Sequence, residues 1–445
     1  MSTRSGEPSP QSTPEPPATP AIPGAPEAPE QKRILAVLVL SQTLSGAGLA
    51  AGITVGALLA EEMLGSTNFA GVPSALFTGG SALGAVGIGR VCQRWGRRPG
   101  LALGYAAGSL GSIGVVAAAA FGSVPLLFLS LVVYGAGTAT NLMARYAGAD
   151  LASPARRGRA VSTVILAMTL GAVIGPNMVG VTGDLAHAWD IPRLAGPFLL
   201  AAVAFAAAAL ALGLLLRPDP LLLARARAAA DTAAEDPGGP EEGAAARTDT
   251  RRLVTGTTVM IVTQLVMIAI MTMTPVHMRA HGHDTQAAGF VIALHVAAMF
   301  LPSPLTGMLV DRLGPPRVAA ASGLVLLAAG LLAAVAPSDS VPALTVALVL
   351  LGLGWNFGLL SGTALVTDAV PLATRAATQG LVDVGISVSG ATGGLASGMV
   401  VAVAGFPFLG AAGGVLALAI VPVVALTSRP PRPAPAGAAP RKERV

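Results

Sequence analysis

The chain has 445 residues, of which 53% are apolar and only 11% charged, with a formal net charge of +5. The charged share is less than half the roughly 25% usual in soluble domains. With a mean hydropathy of +0.71, that excludes an ordinary soluble enzyme, a disordered protein and a secreted disulfide scaffold. The single cysteine, Cys92, permits neither an internal disulfide nor a cysteine metal cluster.

Residues 1–33 form the first segment, dense in Pro with Ser and Glu between, and are expected to stay disordered. They are too polar for a secretory leader, so the first apolar run is expected to be a retained helix. Apolar runs follow at 34–57, 69–89, 101–121, 125–147, 161–183 and 197–216, and resume at 253–274, 285–308, 317–336, 342–364, 379–404 and 407–427. A span needs about 20 apolar residues. The prediction is therefore an all-α membrane protein of six plus six spans. The units are a bundle over 34–217, a linker over 218–250, a second bundle over 251–428 and a tail over 429–445. The linker includes LLLARARAAADTAAE, which reads either as a surface helix against anionic lipid or as a plain tether. Glycine recurs inside the runs, as close helix contact in lipid requires.

Basic residues fall on one side. Arg94, Arg97, Arg98, Arg156, Arg157, Arg159, Arg217 to Arg252, Arg312, Arg317, Arg375 and Arg429 to Arg444 share it, and only Arg193 and Arg279 lie opposite. Positive residues stay inside, so both termini and the linker are expected in the cytoplasm, with the bundles in the plasma membrane. This asymmetry accounts for the basic character without nucleic acid, whose recognition needs a soluble basic face.

The two halves match at a constant offset of 218 residues: Gly89 with Gly307, Arg94 with Arg312, Gly96 with Gly314, Asp150 with Asp368, Arg157 with Arg375, Gly175 with Gly393 and Gly180 with Gly398. A duplicated six-helix unit places substrate near the midplane between halves that rock for alternating access. From residue 34 onward the chain resembles the major facilitator superfamily. That family's loop between spans 2 and 3 runs Gly, three residues, Asp-Arg, one residue, Gly and two basic residues; here it reads GRVCQRWGRR, with Gln93 in place of the acid. The second copy, GMLVDRLGPP, keeps the acid as Asp311 but loses the basic pair. The resemblance implies charge-pair gates on the inner face, with Gln93 leaving the first one weaker or rewired.

The most unusual composition lies at 260–299, which holds six of the 13 methionines and four of the five histidines. On span 7 Met267 and Met271 are four apart, and on span 8 His295 and Met299 likewise. Thioether and imidazole suit copper above other metals, and a histidine within a span is a functional hypothesis by default. Helix packing is the competing reading for each pair. These residues resemble the branch of bacterial copper importers that supply cytochrome oxidase assembly, marked by Met-three-residues-Met on span 7 and His-three-residues-Met on span 8. The resemblance implies copper, as substrate, on Met267, Met271, His295 and Met299. Counted from Pro275 as the outer end, Met271 lies roughly 6 Å and Met267 roughly 12 Å deep. The expectation is a ladder: His277, Met278, His281 and His283 as capture groups, then the four residues in depth.

Span 5 carries a second signal. GAVIGPNMVG gives Gly171, Gly175, Pro176 and Gly180, which resembles the fifth-span motif of drug–proton antiporters and has the physical content of tight packing plus a kink. Asp383, an acid within span 11, is the proton-relay candidate. Asp150 with Arg157 and Asp368 with Arg375 suggest inner-gate pairs, joined by Arg94, Asp311 and Arg312. Arg145 reads as a substrate contact or a snorkelling side chain. Gln42, Asn141, Gln264, Trp355 and Asn356 read as cavity lining or as interhelical links. No phosphate loop or metalloprotease pair is present. The sequence therefore predicts a non-enzymatic, monomeric secondary transporter without a cofactor: copper uptake first, proton-coupled export of a drug or metabolite second.

Overall fold

The computed structural model describes residues 29–64, 72–235 and 248–427; most of the segment 1–33 expected to be disordered, and the tail over 429–445, lie outside them. Helices follow in chain order: α1 (Pro29–Leu64), α2 (Val72–Trp95), α3 (Arg97–Phe121), α4 (Val124–Ala149), α5 (Arg157–Asn177), α6 (Val179–His187), α7 (Gly196–Leu215) and α8 (Pro220–Glu235). The second half holds α9 (Thr250–Ala280), α10 (Thr285–Phe300), α11 (Ser303–Leu313), α12 (Pro315–Val335), α13 (Val341–Ala369), α14 (Arg375–Leu418) and α15 (Ile420–Thr427).

Nine stretches of the described residues are long and apolar enough to cross a membrane. One of them, Arg375–Thr427, turns back at Gly405, where φ is 83°, and so supplies the last two spans. With α1 and the interrupted α5–α6 the twelve spans are complete. The duplication is visible in the backbone. Gly96 (φ 99°) turns the chain between α2 and α3, and its repeat partner Gly314 (φ 86°) does so between α11 and α12. Side chains rarely adopt that left-handed region, which accounts for glycine in both copies.

The eighth span is broken at Pro302, between α10 and α11. Backbone groups at such a break must find partners, since lipid offers none. Asn356 of α13 supplies them: its Nδ2 donates to the Met299 carbonyl (2.7 Å) and Ser303 Oγ (2.8 Å), while its Oδ1 accepts from Thr306 Oγ1 (2.5 Å). Asn356 is thus an interhelical link and not cavity lining. Pro275 lies inside α9, which continues to Ala280. Depths counted from Pro275 are therefore short by about 7 Å at 1.5 Å per residue.

Each half has its own apolar core, one built mainly from α1–α7 and one from α9–α14. The halves meet at the arginine-rich end, where α2 runs against α14 and α5 against α11. A Cβ on Gly380 would stand 2.5 Å from the Ala85 carbonyl oxygen, and one on Gly158 2.5 Å from that of Gly307. Backbone touches backbone on both seams. The linker segment 220–235 is a docked helix: Leu221 is buried, Arg227 pairs with Glu30 at 2.8 Å, and Arg225 bonds main-chain carbonyls of both halves. Those two arginines are spent on protein, so neither the free tether nor the lipid-facing basic helix describes this stretch.

Candidate functional site

At the arginine-rich end the expected pairs are re-partnered, one within the first bundle and one across the seam. Asp150, expected to pair with Arg157, instead takes Arg97 (Nε to Oδ2, 2.8 Å), whose Nη2 also donates to Gln379 Oε1 of the other half at 2.5 Å. Arg157 forms its ion pair with Asp368 across the seam, and Arg375, expected there, donates to the Val370 carbonyl (3.1 Å). Seven residues along the chain lead around a loop, whereas the facing helix end of the other half lies closer in space. Arg94 and Arg312 stay outside the gate, both exposed, with the Arg94 guanidinium 5.5 Å above the Trp95 ring.

Gln93 and Asp311, repeat partners, cap each other's half. Gln93 Oε1 accepts from the amides of Ala376 (2.8 Å) and Ala377 (3.3 Å) at the start of α14, and its Nε2 donates to the Ala373 carbonyl. Asp311 accepts from the amides of Gly158 (2.7 Å) and Arg159 (3.2 Å) at the start of α5, and from Arg159 Nε at 2.9 Å. Both use orphan amides of a helix N-terminus in the opposite bundle. A neutral amide faces Ala377 where the second copy sets an acid against Arg159. Arg97, Arg159, Gln379 and Arg225 were missed by sequence reasoning. The offset of 218 residues could have found Arg159, because it relates the amides of 158–159 to those of 376–377.

One turn beyond Gln379 on α14 stands Asp383, and Arg145 of α4 meets it. Arg145 Nη2 donates to Asp383 Oδ1 at 2.7 Å and to the Tyr146 hydroxyl at 2.9 Å, and its Nε donates to Thr363 Oγ1 at 3.0 Å. The side chains are 1% and 2% exposed, so Arg145 does not snorkel. Asp383 Oδ2 is buried and, among the described residues, accepts no hydrogen bond. A carboxylate with one oxygen held by a guanidinium and the other free has an open position for a proton. The Met260 sulfur lies 4.0 Å from Arg145 Nη2, and one turn further along α9 Gln264 Oε1 accepts from the Trp355 indole at 2.7 Å. Phe300 meets Trp355 edge-on, with ring centroids 5.7 Å apart. Gln42 and Asn141 belong elsewhere. With Ser45 and Tyr105 they close a buried network, Ser45 Oγ donating to Asn141 Oδ1 at 2.6 Å, and link three helices instead of lining a cavity.

The methionine–histidine set lies in the second core. Met267, His295 and Met299 are buried and Met271 is half-buried. His295 turns toward α13, its Nδ1 at 2.8 Å from the Leu348 carbonyl, and its buried Nε2 lacks a hydrogen-bond partner among the described residues. Of the expected capture group, His277 and His281 come together while Met278 and His283 are engaged elsewhere. Met278 is fully buried in the core, not at the mouth, and His283 Nε2 is held by the Ser338 carbonyl at 2.8 Å. His277 lies flat on Phe406 at 4.4 Å and neighbours His281 at 4.3 Å. Among the described residues no three His, Cys, Asp or Glu side chains converge. In the span-5 motif Gly171 packs on α1, where a Cβ would stand 2.5 Å from the Thr43 carbonyl, whereas Gly180 has open space; the surroundings of Gly175 and Pro176 lie outside the described residues.

The sequence profile of the Major Facilitator Superfamily matches residues 38–278 and again 256–445. The chain is 56% identical over 397 residues to the uncharacterized MFS-type transporter YdeG of Bacillus subtilis (strain 168), covering 88% of this chain and 91% of that one. It is 32% identical over 356 residues to the riboflavin transporter RfnT of Brucella anthropi, covering 79% and 85%. In three dimensions it is similar to the human organic anion transporter MFSD10 (TM-score 0.71, 16% identity, 89% of this chain and 100% of that one). It is likewise similar to the proton:xylose symporter XylE (TM-score 0.68, 17% identity, 88% and 94%). These two solved structures bear on the fold alone.

Proposed function

The chain belongs to the major facilitator superfamily and is a membrane transporter of that family; from that premise we propose that it moves a small organic solute by alternating access, with proton movement linked to it at Asp383. The observation that carries this reading is the buried Arg145–Asp383 pair, which joins the two halves and leaves one carboxylate oxygen open. Rocking of the halves must rearrange such a pair, and protonating Asp383 removes the charge that holds it. Solute recognition is assigned to Gln264 of α9, Trp355 of α13 and Phe300 of α10, an amide and two rings that meet one turn along α9 from the Met260 contact with Arg145. Rings and an amide suit a planar, hydrogen-bonding solute, in keeping with the 32% identical riboflavin transporter. The positive-inside rule supports placing the arginine-rich end on the cytoplasmic side.

The test is transport into proteoliposomes of the full chain, with riboflavin as probe and an imposed pH gradient. Flux that follows the gradient, and loses that dependence in Asp383→Asn, supports the reading. Flux indifferent to pH in both proteins removes Asp383 from it.

Copper uptake is the second reading, favoured by one observation: an imidazole whose Nδ1 is engaged by a carbonyl and whose Nε2 is free and buried has the arrangement of a metal ligand. It ranks second because Met278 is buried in the core, His283 is held by the Ser338 carbonyl, and no three His, Cys, Asp or Glu side chains converge among the described residues. In the same vesicles, copper accumulation above zinc and manganese that falls in His295→Ala would restore it to first place.

A further inference from the structure

A cleft of about 350 Å³ opens at the arginine-rich end of the first bundle, between the start of α3, the end of α7 and the linker helix α8, lined by Trp95, Arg98, Pro99, Gly213, Asp219 and Leu222. Its one acid is already used. Asp219 Oδ2 accepts from the Arg98 amide (2.7 Å), and Oδ1 accepts from the amides of Leu221 (3.0 Å) and Leu222 (3.1 Å), capping α8. The Arg98 side chain spends a single bond, Nε to the Gly213 carbonyl at 2.8 Å, and forms no ion pair among the described residues. Arg94, four residues earlier on α2, is exposed, lies 5.5 Å over the Trp95 ring and is also without an ion pair among the described residues. Trp95 is 56% exposed, and Leu103, Leu210 and Leu214 continue from the cleft as an exposed apolar strip on α3 and α7.

We propose that this cleft binds an anionic phospholipid of the leaflet at the arginine-rich face, with its phosphate on Arg98 and Arg94, its ester region against Trp95 and an acyl chain along the leucine strip. Guanidinium groups bind phosphate in paired hydrogen bonds, tryptophan settles at the membrane–water boundary, and basic pockets between spans suit anionic head groups. The charge balance selects an anionic lipid over a zwitterionic one. A choline or ethanolamine group would bring a cation beside Arg98, and Asp219, which already accepts from three amides, is committed to capping α8. The repeat supplies an internal control. The equivalent cleft of the second bundle is lined by Leu313, Pro316, Arg317, Ala320, Val421, Val424 and Ala425, with Leu313 and Pro316 at the positions equivalent to Trp95 and Arg98. It has the place in the fold and an arginine of its own, Arg317, but neither a tryptophan nor an arginine at the position of Arg98. Because Asp219 also anchors α8, whose Arg225 spans the seam, lipid in the first cleft buttresses the closed gate.

Native mass spectrometry of the full-length protein titrated with dioleoyl phosphatidylglycerol or dioleoyl phosphatidylcholine tests this. At least tenfold tighter binding of phosphatidylglycerol is expected, lost in the double variant Arg94→Ala/Arg98→Ala and kept in Arg317→Ala. Equal affinity for the two lipids, or an equal loss in Arg317→Ala, overturns the proposal. Should the double variant fail to fold, quenching of tryptophan fluorescence by phosphatidylglycerol brominated in its acyl chains gives the answer. Preferential quenching over brominated phosphatidylcholine must largely vanish in Trp95→Phe, and its persistence there is equally fatal.

Discussion

At the scale of single residues, the decisive feature is a charge pair in a place where charge is costly. Removing one partner of a buried pair leaves an uncompensated ion and typically costs about 3–5 kcal/mol, whereas replacing both with apolar groups of similar size is often neutral. Asp383→Asn is therefore expected to lower the thermal unfolding midpoint of the detergent-solubilised protein more than the double variant Arg145→Met/Asp383→Leu, although the double variant changes more atoms. The reverse order would show that Arg145 finds another anion when Asp383 is neutral. Asp383 itself was legible in the sequence, because an acid inside an apolar run stands out. Its partner was not: Arg145 lies 238 positions away, and position along α4 alone left it free to snorkel. Gln42 and Asn141 show the same limit, since an amide within a span has one appearance whether it faces a cavity or, as here, closes a network with Ser45 and Tyr105.

Among helices, the two seams are made by glycine, and they answer to size. A Cβ on Gly380 would meet the Ala85 carbonyl at 2.5 Å, and the main chain cannot yield as a flexible side chain does. Gly380→Val is thus expected to wedge α2 from α14 and open the arginine-rich end. In a Cys92→Ser background carrying Gln379→Cys, labelling of that cysteine by a membrane-impermeant maleimide should rise severalfold in vesicles that present this face. Unchanged labelling would mean the seam does not set the closed state. Gln93 acts on the same seam by hydrogen bonds. Gln93→Ala leaves the Ala376 and Ala377 amides without their side-chain acceptor, and each bond so lost is worth about 1 kcal/mol. The same labelling assay should rise for Gln93→Ala, by less than for Gly380→Val. Paired glycines were readable in sequence as close packing. Which helix each would touch was not, because spans related by the repeat offer several glycine faces of the same character.

For the whole molecule, every ion pair that joins the halves among the described residues lies toward the arginine-rich end: Arg145–Asp383, Arg157–Asp368 and Arg159–Asp311. These pairs close the structure on that side, and the alternating access proposed above requires the seams to part. A disulfide between Arg159→Cys and Asp311→Cys, again without Cys92, is expected to abolish transport and to restore it on reduction. Continued flux in the oxidised protein would place the moving boundary elsewhere.

Twelve spans, the duplication and the basic face follow from the sequence by itself, because lipid imposes local rules: each span must be apolar along its own length, and each loop carries its own charge. The partners did not follow. The exchange of Arg157 to Asp368, the reciprocal caps of Gln93 and Asp311, and the turn of His295 toward α13 were decided only when two bundles closed on each other. Those choices depend on distances between helix ends hundreds of residues apart, which glycine contacts set to within an ångström and which no local pattern records.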